Sequence, residues 1–450
     1  MLLSERDPLF LRLLDQASDV EPASLQVLLR MYGAEYRGVN TSAEEITSGL
    51  ATLKAAGWRA TRSNALYFLL AAIKNGNLDL VRTVLDAFKE FPLHTLPPAY
   101  KIGALRLAAR AGKETYAVWR KQAAPSPLEQ VQIQDIDARA DFAAPRKHAD
   151  LGAALRAVVP AQMQVELDHY ILPFYDAHKD HMRWMDCRSD TAELNDFSHD
   201  ISQHLHDKKP YSLIRLGDGE SYAWKDKISA KHAARREQVW WGTEIKPALR
   251  AQIGDAMLDA IAKANRLGIP SLFRFTRDTH PGLGSYRGHV SIAGLIHVLD
   301  GLRELPEAKR LYTEERIHQI CFDLPTISRL SAQAEKLVIV SSLTKATIES
   351  KLRPHIGAVP LEVIEVPTHT KTRGNEMFVQ ADQPLPFVYD DINALVAKAS
   401  GPGILVLVAS GSIGKIFCAS AQEQGGVALD VGAMIDYWVG LKTRSVADLA

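Results

Sequence analysis

The chain has 450 residues, 46% of them hydrophobic and 24% charged, the make-up of an ordinary soluble protein too long for one core. Lys plus Arg equals Asp plus Glu at 53 each, which leaves no global field to attract nucleic acid or acidic lipid. No apolar run approaches the roughly 20 residues that cross a bilayer, and the start, Met1 to Asp7, meets charge too early for a secretory signal.

Cys187, Cys321 and Cys418 are odd in number, widely spaced and without a CxxC pair. That disfavours a disulfide framework or a zinc site and fits a reducing cytosol. Cys418 follows Ile416-Phe417 on an expected helix, as a buried core thiol would.

The first part of the chain, 1–121, reads as all-helical. Apolar residues recur at helical spacing in Ser24 to Met31, Ala43 to Leu53, Asn64 to Ile73 and Asn77 to Leu85. Ala71 to Asn77 echoes Leu107 to Lys113 at an offset of 36, the period of a helix-hairpin repeat; an irregular helical bundle gives similar patterns. Residues 122–160, with Ala124-Pro125-Ser126-Pro127 and Ala143-Ala144-Pro145, read as a linker.

From 161 to 450 helical and strand patterns alternate. Phe174 to Met185, Lys246 to Arg266 and Ile292 to Leu302 read as helices. Ser212 to Leu216, Ser271 to Phe275, Leu337 to Ser341, Leu361 to Val366, Ile404 to Ala409 and Val427 to Asp430 read as buried strands. Apolar strands between helices predict a parallel sheet covered on both faces, with ligands beyond its carboxyl ends.

One such strand runs into Arg215-Leu216-Gly217-Asp218-Gly219-Glu220. Side chains two apart in an extended segment point the same way, so Asp218 and Glu220 converge, and Gly217 and Gly219 leave room for a ligand. Two close carboxylates repel unless something positive sits between them, and a divalent metal is the simplest answer. An exposed acidic turn is the plain alternative.

A second constellation lies in Ile404 to Gly432. The strand ends at Ser410-Gly411-Ser412, a helix follows with Lys415 in its first turn, and a second strand ends at Asp430. A helix opening on this turn suits phosphate. Only two residues separate Gly411 from Gly414 and Ile416 follows Lys415, so the P-loop pattern fails. The dinucleotide fingerprint lacks its first glycine, although Asp430 lies 19 residues after Gly411, near the spacing of a ribose-binding acid. A nicotinamide-dependent oxidoreductase is therefore one alternative. Glycines that merely permit tight packing are another.

Together the two segments resemble the GT-D fold glycosyltransferases, whose Asp-x-Glu motif follows an early strand in a pattern close to Arg-Phe-Gly-Asp-Gly-Glu; Leu216 replaces the aromatic residue here. Gly411, Gly414, Lys415, Gly425, Gly426, Asp430, Gly432 and Asp436 match the family's C-terminal glycine-rich turn, and Gly268-Ile269-Pro270 its motif leading into a strand. The resemblance covers roughly 195–440. It implies a GT-D-type, Rossmann-like parallel sheet with flanking helices, and it does not reach the all-helical domain that precedes it.

It also implies transfer of a sugar from a nucleoside-diphosphate sugar to a glycan or other hydroxyl acceptor, as in polysaccharide biosynthesis. Asp218 and Glu220 would hold Mn²⁺ or Mg²⁺ against the donor diphosphate. Arg215, Gly217, Gly219, Gly411, Ser412 and Lys415 would contact the donor, with a structural salt bridge the alternative for Arg215. Asp430 would meet ribose or acceptor, and Asp430 or Asp436 would serve as base.

Trp240 and Trp241 offer faces for a base or sugar, or are packing residues. Arg274 and Arg277 are phosphate candidates against a default of surface pairing. His280 and His289 flank a glycine-rich loop, Gly282 to Gly288, that reads as a lid. His178 and His181 share a helix face but lack a metal motif, and Asp390-Asp391 reads as a helix start. The expected setting is cytoplasmic, with peripheral contact at the inner membrane face compatible with it. The helical N-terminus is a candidate for a protein partner, and a non-enzymatic adaptor is the remaining alternative.

Overall fold

In the computed structural model the residues described are 41–55, 78–87, 93–95, 113–124, 164–185, 191–272, 274–275, 289–305 and 310–441, with a few isolated positions before 134. The chain divides into two units. One holds Met1–Lys147, His280–Tyr286 and Arg444–Ala450, and the other His148–Thr279 and Arg287–Thr443.

The first unit is helical where described: α1 (Ala43–Ala55), α2 (Leu78–Ala87) and α3 (Lys113–Gln122). Helix α1 begins in a reciprocal cap. The Glu45 N–H donates to Ser42 Oγ (3.1 Å) and the Ser42 N–H to Glu45 Oε2 (2.8 Å), satisfying two backbone donors that the helix leaves open. Ile46, Leu50 and Leu53, at helical spacing, meet Phe68, Val84, Tyr116 and Trp119 in one core. Most of the 71–77 and 107–113 echo, and of the 122–160 segment, lies outside the described residues.

The second unit is built on seven parallel strands: β1 (Tyr211–Arg215), β2 (Arg266–Ile269), β3 (Leu311–Glu314), β4 (Lys336–Ser341), β5 (Leu361–Glu365), β6 (Ile404–Ala409) and β7 (Val427–Asp430). Their order is β3-β2-β1-β7-β6-β4-β5, with every pair parallel. Val338, Val340, Val406, Val408 and Ala428 join one apolar core with Met257, Val396 and Phe417. The alternate residues Leu337, Ile339, Leu405, Leu407 and Leu429 lie outside that core yet are fully buried. Burial of both faces is why these strands read as unbroken apolar runs.

Four expectations need correction. The helix expected over Phe174–Met185 runs Leu172–His178 and ends in a 3₁₀ turn at Lys179–His181, after which Met182 is extended and bridges Tyr312. The stretch 271–275 is not a strand: β2 lies earlier, at Arg266–Ile269, and Leu272, Arg274 and Phe275 are helical. The helix expected to reach Arg266 ends at Lys263, because Ala264 turns extended and the chain enters β2. Gly268-Ile269-Pro270 accordingly closes a strand instead of leading into one, and Pro270 cannot donate to a continuing ladder. Strand β3 is an addition. Cys418 is fully buried, and burial pushes its thiol well above the ordinary value. No helix among the described residues is long and apolar enough to cross a membrane.

Candidate active site

Strand β7 lies between β1 and β6, so its last residue, Asp430, comes between Arg215 at the end of β1 and Lys415 in the helix after β6. Arg215 grips it three times: its backbone N–H donates to Asp430 Oδ2 (3.3 Å), Nε to the Asp430 carbonyl (2.8 Å) and Nη2 to Oδ1 (2.9 Å). The Arg215 Nη1 lies 2.8 Å from His318 Nε2. Lys415 donates from Nζ to Asp430 Oδ2 at 2.5 Å, and the same ammonium lies 3.2 Å from Glu220 Oε1.

These groups form a chain of alternating charge, Arg215–Asp430–Lys415–Glu220, along the carboxyl ends of three neighbouring strands. The Lys415 and Asp430 side chains are only 3% and 4% exposed. Burial alone would raise the Asp430 carboxyl, but Arg215 and Lys415 outweigh it and hold the group below its ordinary value. Burial alone would lower the Lys415 ammonium, and Asp430 and Glu220 outweigh that in turn. Asp430 therefore stays ionised with both oxygens engaged.

The Asp218–Glu220 segment is not extended. Asp218–Ala223 is a tight 3₁₀ turn, so the period-two argument for their convergence fails. The turn is held from several sides. Glu220 reaches back so that its Oε2 accepts from the Gly217 N–H (2.7 Å). Ser221 Oγ donates to the Asp218 carbonyl (2.8 Å). Arg236 donates from Nη1 to the carbonyls of Asp218 (2.5 Å) and Gly219 (2.8 Å).

Each carboxylate faces its own cation. Glu220, 12% exposed, faces Lys415, whereas Asp218, 38% exposed, faces Arg274 Nη2 loosely at 3.5 Å. Arg274 is buried and bonded to Glu315, so it is no surface pair. Asp218 is thus the carboxylate with room for a ligand. No group of three or more His, Cys, Asp or Glu among the described residues is placed to hold a metal ion.

Trp240 and Trp241 end α4 (Ala230–Trp241), which stops at Gly242 in the left-handed conformation (φ 74°). They differ in setting. Trp241 is buried, while Trp240 is half-buried and borders Gly219, where a Cβ would sit 3.5 Å from its Cζ2. Tyr222 meets both rings edge-on at 5.7 and 6.0 Å, and Arg236 lies 5.8 Å from the Trp240 centroid.

Gly411 takes φ 61° in the turn before α5 (Gly414–Glu423). The Lys415 N–H closes back on the Ser412 carbonyl, and its side chain turns inward to Asp430. Asp436 lies on the short helix Met434–Trp438.

Asp390 and Asp391 do open a helix, Tyr389–Ala399. His178 stacks on Phe174 at 4.4 Å, and His181 is exposed. Arg277, His280, the 282–288 loop and the His289 side chain lie outside the described residues.

Among the partners of the site that carried no local motif are Arg236 and Gly294, the latter on the helix His289–Glu304. A Cβ on Gly294 would lie 2.8 Å from the Asp218 carbonyl and 3.1 Å from its Cβ. Gly301 stands seven residues on and packs against Trp224. That seven-residue glycine spacing is the signal that marks a helix face approached closely by its neighbours, backbone at Gly294 and the Trp224 ring at Gly301.

A search of curated proteins finds no match. Two solved structures align with the chain. One is described as the selenomethionine-substituted structure of domain of unknown function 1792, at 16% identity. The other is described as showing that this highly conserved domain has a distinct glycosyltransferase fold, at 17% identity. Each alignment covers 54% of this chain and 80% of the other, with a TM-score of 0.33, too loose to bear on function. The family model of a GT-D fold-like domain matches residues 192–286, a span that takes in β1, the Asp218–Glu220 turn and β2. Residues 192–286 are thus similar to a GT-D fold-like domain.

Proposed function

We propose that the α/β unit transfers a sugar from a nucleoside-diphosphate sugar to a hydroxyl acceptor, a glycan in the first instance, at the Asp218–Glu220 turn. The observation that carries this reading is the half-open Asp218 carboxylate, at the carboxyl edge of the sheet, backed by the Glu220–Lys415–Asp430–Arg215 chain. Ligands of open α/β sheets bind at that edge. The GT-D-like match over residues 192–286 supports a glycosyltransferase in general.

The donor set fits a hard divalent cation. Asp218 offers exposed carboxylate oxygens, and Mg²⁺ or Mn²⁺ is commonly held by one or two carboxylates plus substrate phosphates. Asp218 would hold the ion, and Glu220 would join by exchanging Lys415 for it. Such a cation, when bound, neutralises charge developing on the leaving diphosphate. Gly217 and Gly219 let the donor approach the backbone, the Gly411–Ser412 turn contributes to phosphate binding, and Trp240 stacks on the base.

Arg215, Lys415 and Asp430 act by positioning. Asp430, with both oxygens engaged and its side chain 4% exposed, is closed to a ribose hydroxyl, which weakens the support for a nicotinamide cofactor. The same burial disfavours it as a base.

The test is calorimetric titration with UDP and GDP, each with and without Mn²⁺, beside the Asp218→Ala, Glu220→Ala double variant. Metal-dependent binding lost in the variant is the expected result. NADH binding in place of either nucleotide would overturn the proposal.

A further inference from the structure

We infer that Lys415 neutralises Glu220 in the empty site, so that the Asp218–Glu220 pair retains a divalent cation only together with a nucleoside diphosphate. The inference rests on the transferase reading and concerns the order in which that site fills.

Three observations carry it. The Lys415 ammonium lies 3.2 Å from Glu220 Oε1, which places a positive charge where a second metal ligand would otherwise act. It is held there, because its side chain is 3% exposed and leaves from the first turn of α5, next to Gly414, whose Cβ position is 3.0 Å from Val408 Cγ1. Its second partner, Asp430, is clamped by Arg215. Lys415 can therefore give up Glu220 without becoming an unpaired buried charge.

A divalent ion approaching Glu220 meets this fixed ammonium at close range in a partly buried setting, where like charges repel strongly. Asp218 alone provides one carboxylate against that repulsion. The diphosphate brings further anionic oxygens and tips the balance. Linkage then requires that nucleotide tighten metal binding by the same factor as metal tightens nucleotide binding.

The experiment is Mn²⁺ titration of the full chain followed by electron paramagnetic resonance, alone and with saturating UDP or GDP. Wild-type protein, Lys415→Met, Lys415→Gln and Asp218→Asn are compared. Wild-type protein is expected to bind Mn²⁺ alone at least about tenfold more weakly than with nucleotide, and both Lys415 variants to bind Mn²⁺ alone roughly tenfold or more tightly than wild type. Asp218→Asn should lose the ion in either condition.

Equal Mn²⁺ affinity of the wild type with and without nucleotide overturns the inference. So does an unchanged affinity in a Lys415 variant whose circular dichroism matches wild type. The Lys415 result with metal-dependent nucleotide binding intact leaves the transferase reading standing, whereas equal wild-type Mn²⁺ affinity means, by linkage, that nucleotide binding is metal-independent and counts against both. If both Lys415 variants fail to fold, the wild-type comparison decides alone.

Discussion

Gly432 stands against Arg215 so closely that a Cβ on it would fall well inside van der Waals contact of the Arg215 Nη2. That nitrogen is the one donating to Asp430 Oδ1. Gly432 also has φ 51°, where a side chain is strained. The glycine after β7 therefore permits the Arg215 clamp and, through Asp430, the placement of Lys415. Gly432→Ala should lower stability by roughly 1–3 kcal/mol. Urea unfolding checks this, and a variant as stable as wild type would show that the clamp tolerates displacement.

Gly294→Ala separates function from stability. The substitution adds helix propensity worth about 1 kcal/mol in the middle of His289–Glu304. The new methyl also presses on the Asp218 carbonyl and Cβ. The gain and the strain offset each other in the fold, but Asp218 is displaced. Stability is expected to stay within about 1 kcal/mol while Mn²⁺-dependent UDP or GDP binding weakens at least tenfold. Gly301→Ala should do the reverse, because its methyl would collide with the Trp224 ring. Thermal unfolding and calorimetry on the pair decide; equal losses of binding would remove the assigned contrast.

The legible part of this fold is the part buried on both faces. Strands β4 and β6 carry unbroken Val, Ile and Leu over 337–340 and 404–408 with matched register, and apolar continuity alone marks them. Strands β2 and β3 are four residues long, and their Arg-Leu-Gly-Ile and Leu-Tyr-Thr-Glu carry charge that reads as surface. The structure buries those charges instead: Arg266 meets Asp200 at 3.2 Å and packs over Trp184. Tertiary pairing of this sort leaves no local trace.

The candidate site divides in the same way. Gly217-Asp218-Gly219-Glu220 and Gly411 to Asp430 are visible as motifs, because glycine and carboxylate in those patterns are unusual in a core. Their contact is set by strand order, which places β7 between β1 and β6. No spacing in the sequence brings Lys415 to Glu220, 195 positions apart, and a lysine in a helix's first turn reads as pointing to solvent or phosphate. The 3₁₀ turn at Asp218 was equally hidden, since Arg236 and Gly294 shape it from distant helices.

The two tryptophans of α4 should answer differently to truncation. Trp240 borders Gly219 and keeps part of its surface open, whereas Trp241 is buried in the core. Trp240→Ala is expected to weaken nucleotide binding by about 1–3 kcal/mol, the usual range for aromatic stacking on a base. Trp241→Ala should instead cost about 3–5 kcal/mol of stability. Calorimetric titration and urea unfolding of both variants check the split; unchanged nucleotide binding by Trp240→Ala would remove its stacking role.

Glu237 supplies a pH signature for the α4 region. It is fully buried, with Oε1 accepting from Tyr222 Oη (2.6 Å) and Arg250 Nε (2.5 Å), and Oε2 from the Ile245 N–H (3.0 Å) and Arg250 Nη2 (2.8 Å). Burial alone would raise its carboxyl, but these bonds outweigh burial and hold it below the ordinary value of 4.5. A carboxyl depressed in the folded state stabilises above its unfolded value and loses that contribution as pH falls through the folded one. Glu237→Gln should therefore destabilise by roughly 2–4 kcal/mol at neutral pH, since it leaves the Arg250 guanidinium with only the exposed Glu244 carboxylate at 3.5 Å. The gap between wild type and variant should stay constant down to about pH 4.5 and narrow below it. Urea unfolding at a series of pH values measures the gap, and one that widens on acidification would show that Glu237 is not held ionised by Arg250.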